Sequence, residues 1–308
     1  MPFGTVPLND GKKIPAIAFG TGSIYKHTDV TQLVNQALET GFSHIDTAAF
    51  YDTEQYVGNA IHESGLARSG LYITTKYGLG DVREGIETSL KKLGLAFVDL
   101  YLIHQPQVIP DLDAAWAQFE VIQKDGLAKS IGVSNFTLAQ LQALVKNARA
   151  LLAWSAQHGI VTEAYSSLSS ITKFPGGPVD VPVAAAAARL GISPTQVLLS
   201  WVRAKGAVIV TSVPSPQTFL RNLTQLKYDR TSSSKARLEE YLAVADLPPL
   251  SDAEIAAIEA AGANGPPGIL SCIRGRGLTP NVKSALAGVL LLVWALFFFR
   301  LSLASCRM

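Results

Sequence analysis

The first 269 residues contain no cysteine, and both cysteines of the chain, Cys272 and Cys306, lie near its end. Disulfides and thiolate chemistry are thereby excluded from the body, and the scarcity fits a reducing compartment. Charge is also scarce, at 16% of residues. Residues 270–308 carry Arg274, Arg276, Lys283, Arg300 and Arg307 and no acid, which leaves 21 basic against 24 acidic residues ahead of them. A mildly acidic body lacks the broad basic surface that nucleic-acid binding requires, so no nucleic-acid partner is expected. The five histidines show no metal-ligand spacing, and no metal is expected. The opening residues Met1–Thr5 show no basic stretch leading into an apolar run, so no signal peptide is expected.

Apolar residues, by contrast, make up 48% of the chain, and mean hydropathy is +0.24. Residues Ala285–Phe299 supply roughly 40 of a summed hydropathy of about 74, so the excess is local. The remainder reads as an ordinary globular body. A β-branched run, a turn and an amphipathic stretch recur along it. Strands are expected at Ile14–Phe19, His44–Thr47, Leu71–Lys76, Val98–His104, Lys129–Val133, Ile160–Tyr165 and Ala207–Thr211. Helices are expected at Val30–Glu39, Glu54–Glu63, Val82–Leu93, Asp113–Lys124, Val181–Arg189, Pro194–Lys205 and Asp252–Ala261. Strands alternating with helices imply a parallel sheet, and runs apolar at successive positions, as in Val98–Ile103, imply burial of both faces. Thr5–Leu8 and Lys12–Ile17, separated by Asn9, Asp10 and Gly11, read as a hairpin. A closed (β/α)8 barrel and an open doubly wound sheet both satisfy this pattern. No Gly-rich turn follows the first strand, and the ionisable residues gather at C-terminal strand ends, where barrel active sites lie.

Four residues carry the chemistry. Asp46, Lys76 and His104 end three successive strands, and Tyr51 follows Asp46 in the loop. Any one of them alone reads as a polar loop residue; together they deliver ionisable groups to one rim. A phenol is a poor acid at neutral pH, but a neighbouring ammonium favours the phenolate and lowers its pKa. A carboxylate holds that lysine charged and placed, and a histidine orients a carbonyl oxygen. Such a set suits carbonyl reduction, with Tyr51 as general acid.

These residues, with the segments Ile14–Gly22, Gly41–Tyr51, Leu71–Lys76, Val98–Pro106, Lys129–Phe136 and Gly159–Leu168, closely resemble the aldo-keto reductase family, and within it the fungal ketoreductases. The resemblance spans about residues 3–262 and implies a (β/α)8 TIM-barrel-type fold. It also implies NADPH as cofactor, a small carbonyl substrate, a monomer, and the tetrad Asp46, Tyr51, Lys76 and His104. Further positions follow from it. Gly20 and Thr21 match the turn near the nicotinamide ribose, Ser134 and Asn135 the carboxamide pair, and Tyr165 the ring that stacks on the nicotinamide. Ser166 and Leu168 match the pyrophosphate loop. Ser232, Ser233, Arg237, Glu240 and Tyr241 match the 2′-phosphate and adenine site. Ser134 and Asn135 also read as the cap of a helix beginning at Thr137, and Tyr165 as packing at a barrel rim.

The chain departs from that family pattern twice. Asn147-Ala148-Arg149 runs straight into Ala150, so about twenty residues are missing, including the sixth of the eight strands of such a barrel. A glutamine that contacts the carboxamide goes with them, and Thr137–His158 reads as one continuous helix. An insertion at 212–230 follows the last strand. The expected organisation is a barrel body at 1–269 lacking one strand, a basic linker at 270–283 and a hydrophobic transmembrane helix at 284–305. About 20 apolar residues suffice to cross a bilayer, which would tail-anchor a body facing the cytoplasm on an endoplasmic-reticulum or mitochondrial outer membrane. The alternative is a catalytically impaired relative that acts as a membrane-anchored binding protein.

Overall fold

The computed structural model describes residues 3–22, 25–137, 159–172, 174–213 and 234–263. They form two compact units, one within Met1–Leu168 and Leu190–Leu250, the other within Ser169–Arg189 and Ser251–Met308. The expected helix over 137–158, most of the 212–230 insertion, Ser232, Ser233, the basic linker and the apolar tail at 284–305 lie outside the described residues. Among the described residues no helix is long and apolar enough to cross a membrane.

The first unit opens with the expected hairpin, β1 (Thr5–Pro7) and β2 (Lys13–Pro15), in antiparallel register with Val6 opposite Ile14. A parallel sheet follows, built from β3 (Ile17–Gly20), β4 (His44–Asp46), β5 (Tyr72–Tyr77), β6 (Val98–Ile103), β7 (Ala128–Val133), β8 (Glu163–Tyr165) and β9 (Val208–Thr211). Its helices are α1 (Thr31–Thr40), α2 (Glu54–Ser64), α3 (Val82–Leu93), α4 (Leu112–Lys124), α7 (Pro194–Ala204) and α8 (Ser234–Leu242). The second unit holds α5 (Ser169–Thr172), α6 (Asp180–Leu190) and α9 (Asp252–Ala263). There Arg189 of α6 grips Glu254 of α9 with two parallel bonds of 2.6 and 2.7 Å.

Local chemistry explains the boundaries. Helix α3 starts where the Asp81 carboxylate accepts the Glu84 backbone N–H at 2.9 Å, and it stops at Gly94, whose φ of 66° a side chain rarely adopts. Helix α7 has Pro194 in its first turn and a reciprocal bond pair between Ser193 and Gln196. The α2–α3 crossing is close, because Gly58 has no Cβ; one would sit 2.7 Å from the carbonyl oxygens of Lys92 and Leu93.

The sheet order is β7-β6-β5-β4-β3-β9-β8, seven strands with all neighbours parallel. Among the described residues the outer strands are β7 and β8, the two that would flank the sixth strand of an eight-stranded barrel. Side chains alternate across the sheet as the pleat demands. On β6, Tyr101 and Ile103 join the large cluster shared with the helices, including Phe19, Ile45, Ile73 and Phe119, while Leu100 and Leu102 join a smaller cluster with Ile14 and Val208. Both faces are therefore buried, as the uninterrupted apolar runs require. The sheet is curled. His44 on β4 and Glu163 on β8 stand three strand positions apart, about 14 Å in a flat sheet. Their side chains nevertheless approach to 3.9 Å. The hairpin turn also reaches the sheet, where Asp10 accepts the Ser130 hydroxyl of β7 at 2.7 Å.

Candidate active site

The strands bring all four expected residues together at the C-terminal rim. Asp46 ends β4, Lys76 lies near the end of β5, and His104 follows β6; all three are buried. Strand register places them: Asp46 pairs with Thr74, and Lys76 with Leu102, so the tetrad shares a face with the small inner cluster. Tyr51 closes a 3-10 turn, Ala49–Tyr51, immediately after β4.

Lys76 Nζ donates to both carboxylate oxygens of Asp46 at 2.7 Å, to the Thr47 carbonyl at 2.8 Å, and to Tyr51 Oη at 3.5 Å. Burial works against the ammonium, but Asp46, with Tyr51 and Glu163 adding to it, more than compensates and holds it above the ordinary lysine range. At Asp46 burial raises the carboxyl and Lys76 opposes the rise. Lys76 pulls the Tyr51 phenol down, as expected, but it is not the largest influence there. Burial pushes the phenol up by more than Lys76 pulls it down, so its pKa lies above the usual value. Burial, with the charges of Lys76 and Lys26 behind it, depresses the His104 imidazole to about 4, which leaves it neutral at pH 7. The Tyr51 and His104 rings meet edge to face at 5.3 Å.

The tyrosine is seated by a residue of quite different chemistry. A Cβ on Gly22 would lie 2.8 Å from Tyr51 Cζ, so only glycine leaves room for the ring. Beneath it, the hydroxyls of Thr21, Thr47 and Thr53 form a buried triangle with sides of 2.9, 3.0 and 3.1 Å. The Thr21 side chain is buried in this triangle, and its Oγ1 also lies 3.3 Å from the Asp46 carbonyl. It ties the ends of β3 and β4 to the loop that carries Tyr51.

The other expected positions divide. Asn135 Nδ2 donates to the His104 carbonyl at 2.8 Å and to Ser134 Oγ at 3.1 Å, and its Oδ1 accepts the Tyr165 hydroxyl. Tyr165 is 59% exposed, its ring open beside this pair. Gly20 ends β3, and Leu168 packs against the main core. Asn135 and Ser166 adopt left-handed backbone with φ of 61° and 58°. His27 and Asp52 do likewise, so the strained non-glycine residues among those described all follow C-terminal strand ends, where function gathers strain. On α8, Arg237 lies close enough to act on Tyr25, whose hydroxyl donates to the Val213 carbonyl. Tyr241 is 3% exposed and packs in the core, and Glu240 accepts the Ser193 hydroxyl at the start of α7.

Two inner-face residues escaped the sequence reading. His44 Nε2 lies 2.8 Å from Thr74 Oγ1, and Glu163 is half-buried, its Oε1 atom shielded from solvent and lacking a hydrogen-bond partner. Burial, then Asp46, pushes the Glu163 carboxyl up to about 8. The signal was the period of two: His44 precedes Asp46, and Glu163 precedes Tyr165, by two positions. Among the described residues no group of histidine, cysteine, aspartate and glutamate is arranged to hold a metal ion.

Comparison with known proteins agrees with this geometry. The model of the aldo/keto reductase family matches residues 16–168. An aldo-keto reductase of Mycolicibacterium vanbaalenii is 35% identical over 258 residues, covering 76% of this chain and 91% of the relative. An NAD/NADP-dependent indole-3-acetaldehyde reductase of Schizosaccharomyces pombe is 31% identical, covering 75% and 91%. The crystal structure of a Bombyx mori aldo-keto reductase in complex with NADP superposes with a TM-score of 0.70 at 30% identity, covering 84% of this chain and 92% of that one. The chain belongs to the aldo/keto reductase family.

Proposed function

We propose that the chain reduces aldehydes or ketones to alcohols with a nicotinamide cofactor, Tyr51 supplying the proton. The observation that carries this reading is the Lys76 ammonium, buried, fixed by Asp46 and Thr47, and aimed at Tyr51 Oη. The residues present fit the nicotinamide end of such a cofactor. The exposed Tyr165 ring is tethered through Asn135 to the His104 carbonyl, which gives a flat aromatic face and an amide beside the tetrad. Tyr165, Ser134 and Asn135 would hold the ring and carboxamide, Gly20 and Ser166 would adjoin it, and Arg237 would face the 2′-phosphate. When bound, the reduced nicotinamide supplies the hydride.

The chain's own residues do the rest. Burial keeps the Tyr51 phenol protonated at neutral pH, ready to give its proton to the carbonyl oxygen. The phenolate left behind faces the Lys76 ammonium, which stabilises it in a site shielded from water. Asp46 and Thr47 fix that ammonium so that no reorganisation accompanies the transfer. His104 is neutral and so has one ring N–H to donate and orient the same oxygen. The resemblance to the indole-3-acetaldehyde reductase supports an aldehyde as substrate. The test is fluorescence titration with NADPH, followed by loss of NADPH absorbance on adding aromatic and aliphatic aldehydes and ketones. Saturable binding and carbonyl-dependent oxidation are expected; no oxidation with any of them refutes the reading.

A second reading keeps the tetrad but loses cofactor retention. The observation favouring it is that, among the described residues, β7 and β8 are outer strands rather than partners of a sixth strand. The same titration separates the two, since this reading predicts no saturable NADPH binding.

A further inference from the structure

We propose that Lys26 makes this site select carbonyl compounds that carry a carboxylate. The proposal rests on the reductase reading and narrows its substrate class. Lys26 Nζ lies 4.6 Å from the centre of the Phe50 ring and 5.5 Å from that of Tyr51. Phe50 in turn meets His104 edge to face at 5.9 Å and is 55% exposed. Phe50, Tyr51 and His104 thus form one aromatic wall beside the proton donor, with an ammonium held against it.

The charges around this wall leave Lys26 distinct. Lys76 is consumed by Asp46. His104 carries no charge at neutral pH. The acids nearest in sequence are engaged elsewhere: Asp52 faces His27 at 3.6 Å and Lys92 at 3.7 Å, and Asp29 accepts the Thr31 backbone N–H at 2.8 Å. No carboxylate of the described residues pairs with Lys26. An ammonium resting on two aromatic faces keeps part of its attraction for an anion while its stem stays ordered. A substrate whose carbonyl oxygen reaches Tyr51 Oη would lay its body along Phe50 and bring a carboxylate to Lys26. A neutral substrate of the same shape gains only the aromatic contact.

The experiment compares 4-carboxybenzaldehyde with 4-carbamoylbenzaldehyde as substrates of the wild-type chain and of Lys26→Met. In the wild type kcat/KM is expected to favour the carboxylate about fivefold, the size of one partly exposed charge pair. In Lys26→Met that preference disappears while kcat/KM for the amide and the NADPH titration stay unchanged. High salt weakens the wild-type preference and leaves the variant unaffected. Binding of the alcohols 4-(hydroxymethyl)benzoate and 4-(hydroxymethyl)benzamide, measured by calorimetry, gives a readout independent of turnover. Equal affinity for the two in the wild type overturns the proposal, even if the chain turns nothing over. So does a Lys26→Met variant whose loss falls equally on both aldehydes, or on NADPH, since Lys26 would then serve the cofactor. Failure of the reductase reading shows separately, as absence of NADPH oxidation with both aldehydes.

Discussion

Tyr165 on β8 donates its hydroxyl to the side chain of Asn135, which follows β7 and itself bonds the His104 carbonyl. The two outer strands among the described residues are therefore linked at their C-terminal ends by side chains, and the proposed function seats the nicotinamide ring on that link. Tyr165→Phe removes it and keeps the aromatic face. Stability should fall by about 1 kcal/mol, the net worth of one hydrogen bond, with a several-fold weaker NADPH titration. Unchanged NADPH affinity would show that Asn135 does not need this partner to stay in place.

Tyr51→Phe deletes the proton donor without changing the ring. Turnover should drop by at least about 100-fold, the usual worth of a positioned acid, with NADPH binding largely retained. Steady-state kinetics paired with the titration checks this, and wild-type turnover in the variant refutes the assignment.

Gly22→Ala places a methyl where Tyr51 Cζ stands 2.8 Å away. The ring must move while the core stays intact, so kcat should fall by about tenfold or more, as small misplacements of a catalytic group do. Thermal unfolding should shift only slightly. A large fall in stability with unaltered kcat would mean that Gly22 serves packing alone.

Lys76→Met leaves the Asp46 carboxyl buried without its cation. Removing one partner of a buried pair costs about 3–5 kcal/mol. Lys76→Met with Asp46→Asn should recover part of that stability but none of the activity. Urea unfolding of the two variants measures it; equal stability in both would contradict the pairing.

Stability should depend on pH with two opposing signs. The unfolded chain protonates histidine near 6.5, whereas folded His104 resists until about 4 and His44 until about 3. Their contribution is complete above 6.5 and lost as pH falls through that window, by up to about 1.4 kcal/mol per pH unit for each group. Glu163 runs the other way. Its folded carboxyl holds a proton up to about pH 8, against 4.5 unfolded, so its contribution is lost as pH rises between those values. Glu163→Gln should lose less stability than the wild type between pH 5 and 8, measured as urea midpoints. Identical slopes would place the Glu163 proton elsewhere.

Much of this was legible in the sequence because apolar period and punctuation agreed. Asp81 and Gly94 bracket α3 at the expected residues, and each expected strand has a counterpart, although Ile14–Phe19 is divided between β2 and β3 and β8 is shorter than Ile160–Tyr165. The four tetrad positions were legible because three of them stand at the ends of successive strands and Tyr51 follows the first in its loop. What escaped depends on distance through space. A lysine near a tyrosine can be inferred from strand order, but the burial that reverses the net effect on Tyr51 cannot. Likewise, resemblance singled out Tyr241 without showing its surroundings, and only the packing of α8 places its side chain in the core. The approach of His44 to Glu163 requires the curl of the sheet, which no local pattern encodes.

Glu163 has a consequence for how the edge of the sheet assembles. Its register opposite Val208 turns it to the inner face, toward His44, Asp46 and Lys76. A slip of one residue would put Ala164 there and drive the acid into the apolar layer under the helices, where no polar partner waits. The same slip would carry Tyr165 away from Asn135. A three-residue strand has few backbone bonds with which to choose its alignment, and an inward-facing acid penalises the slipped one.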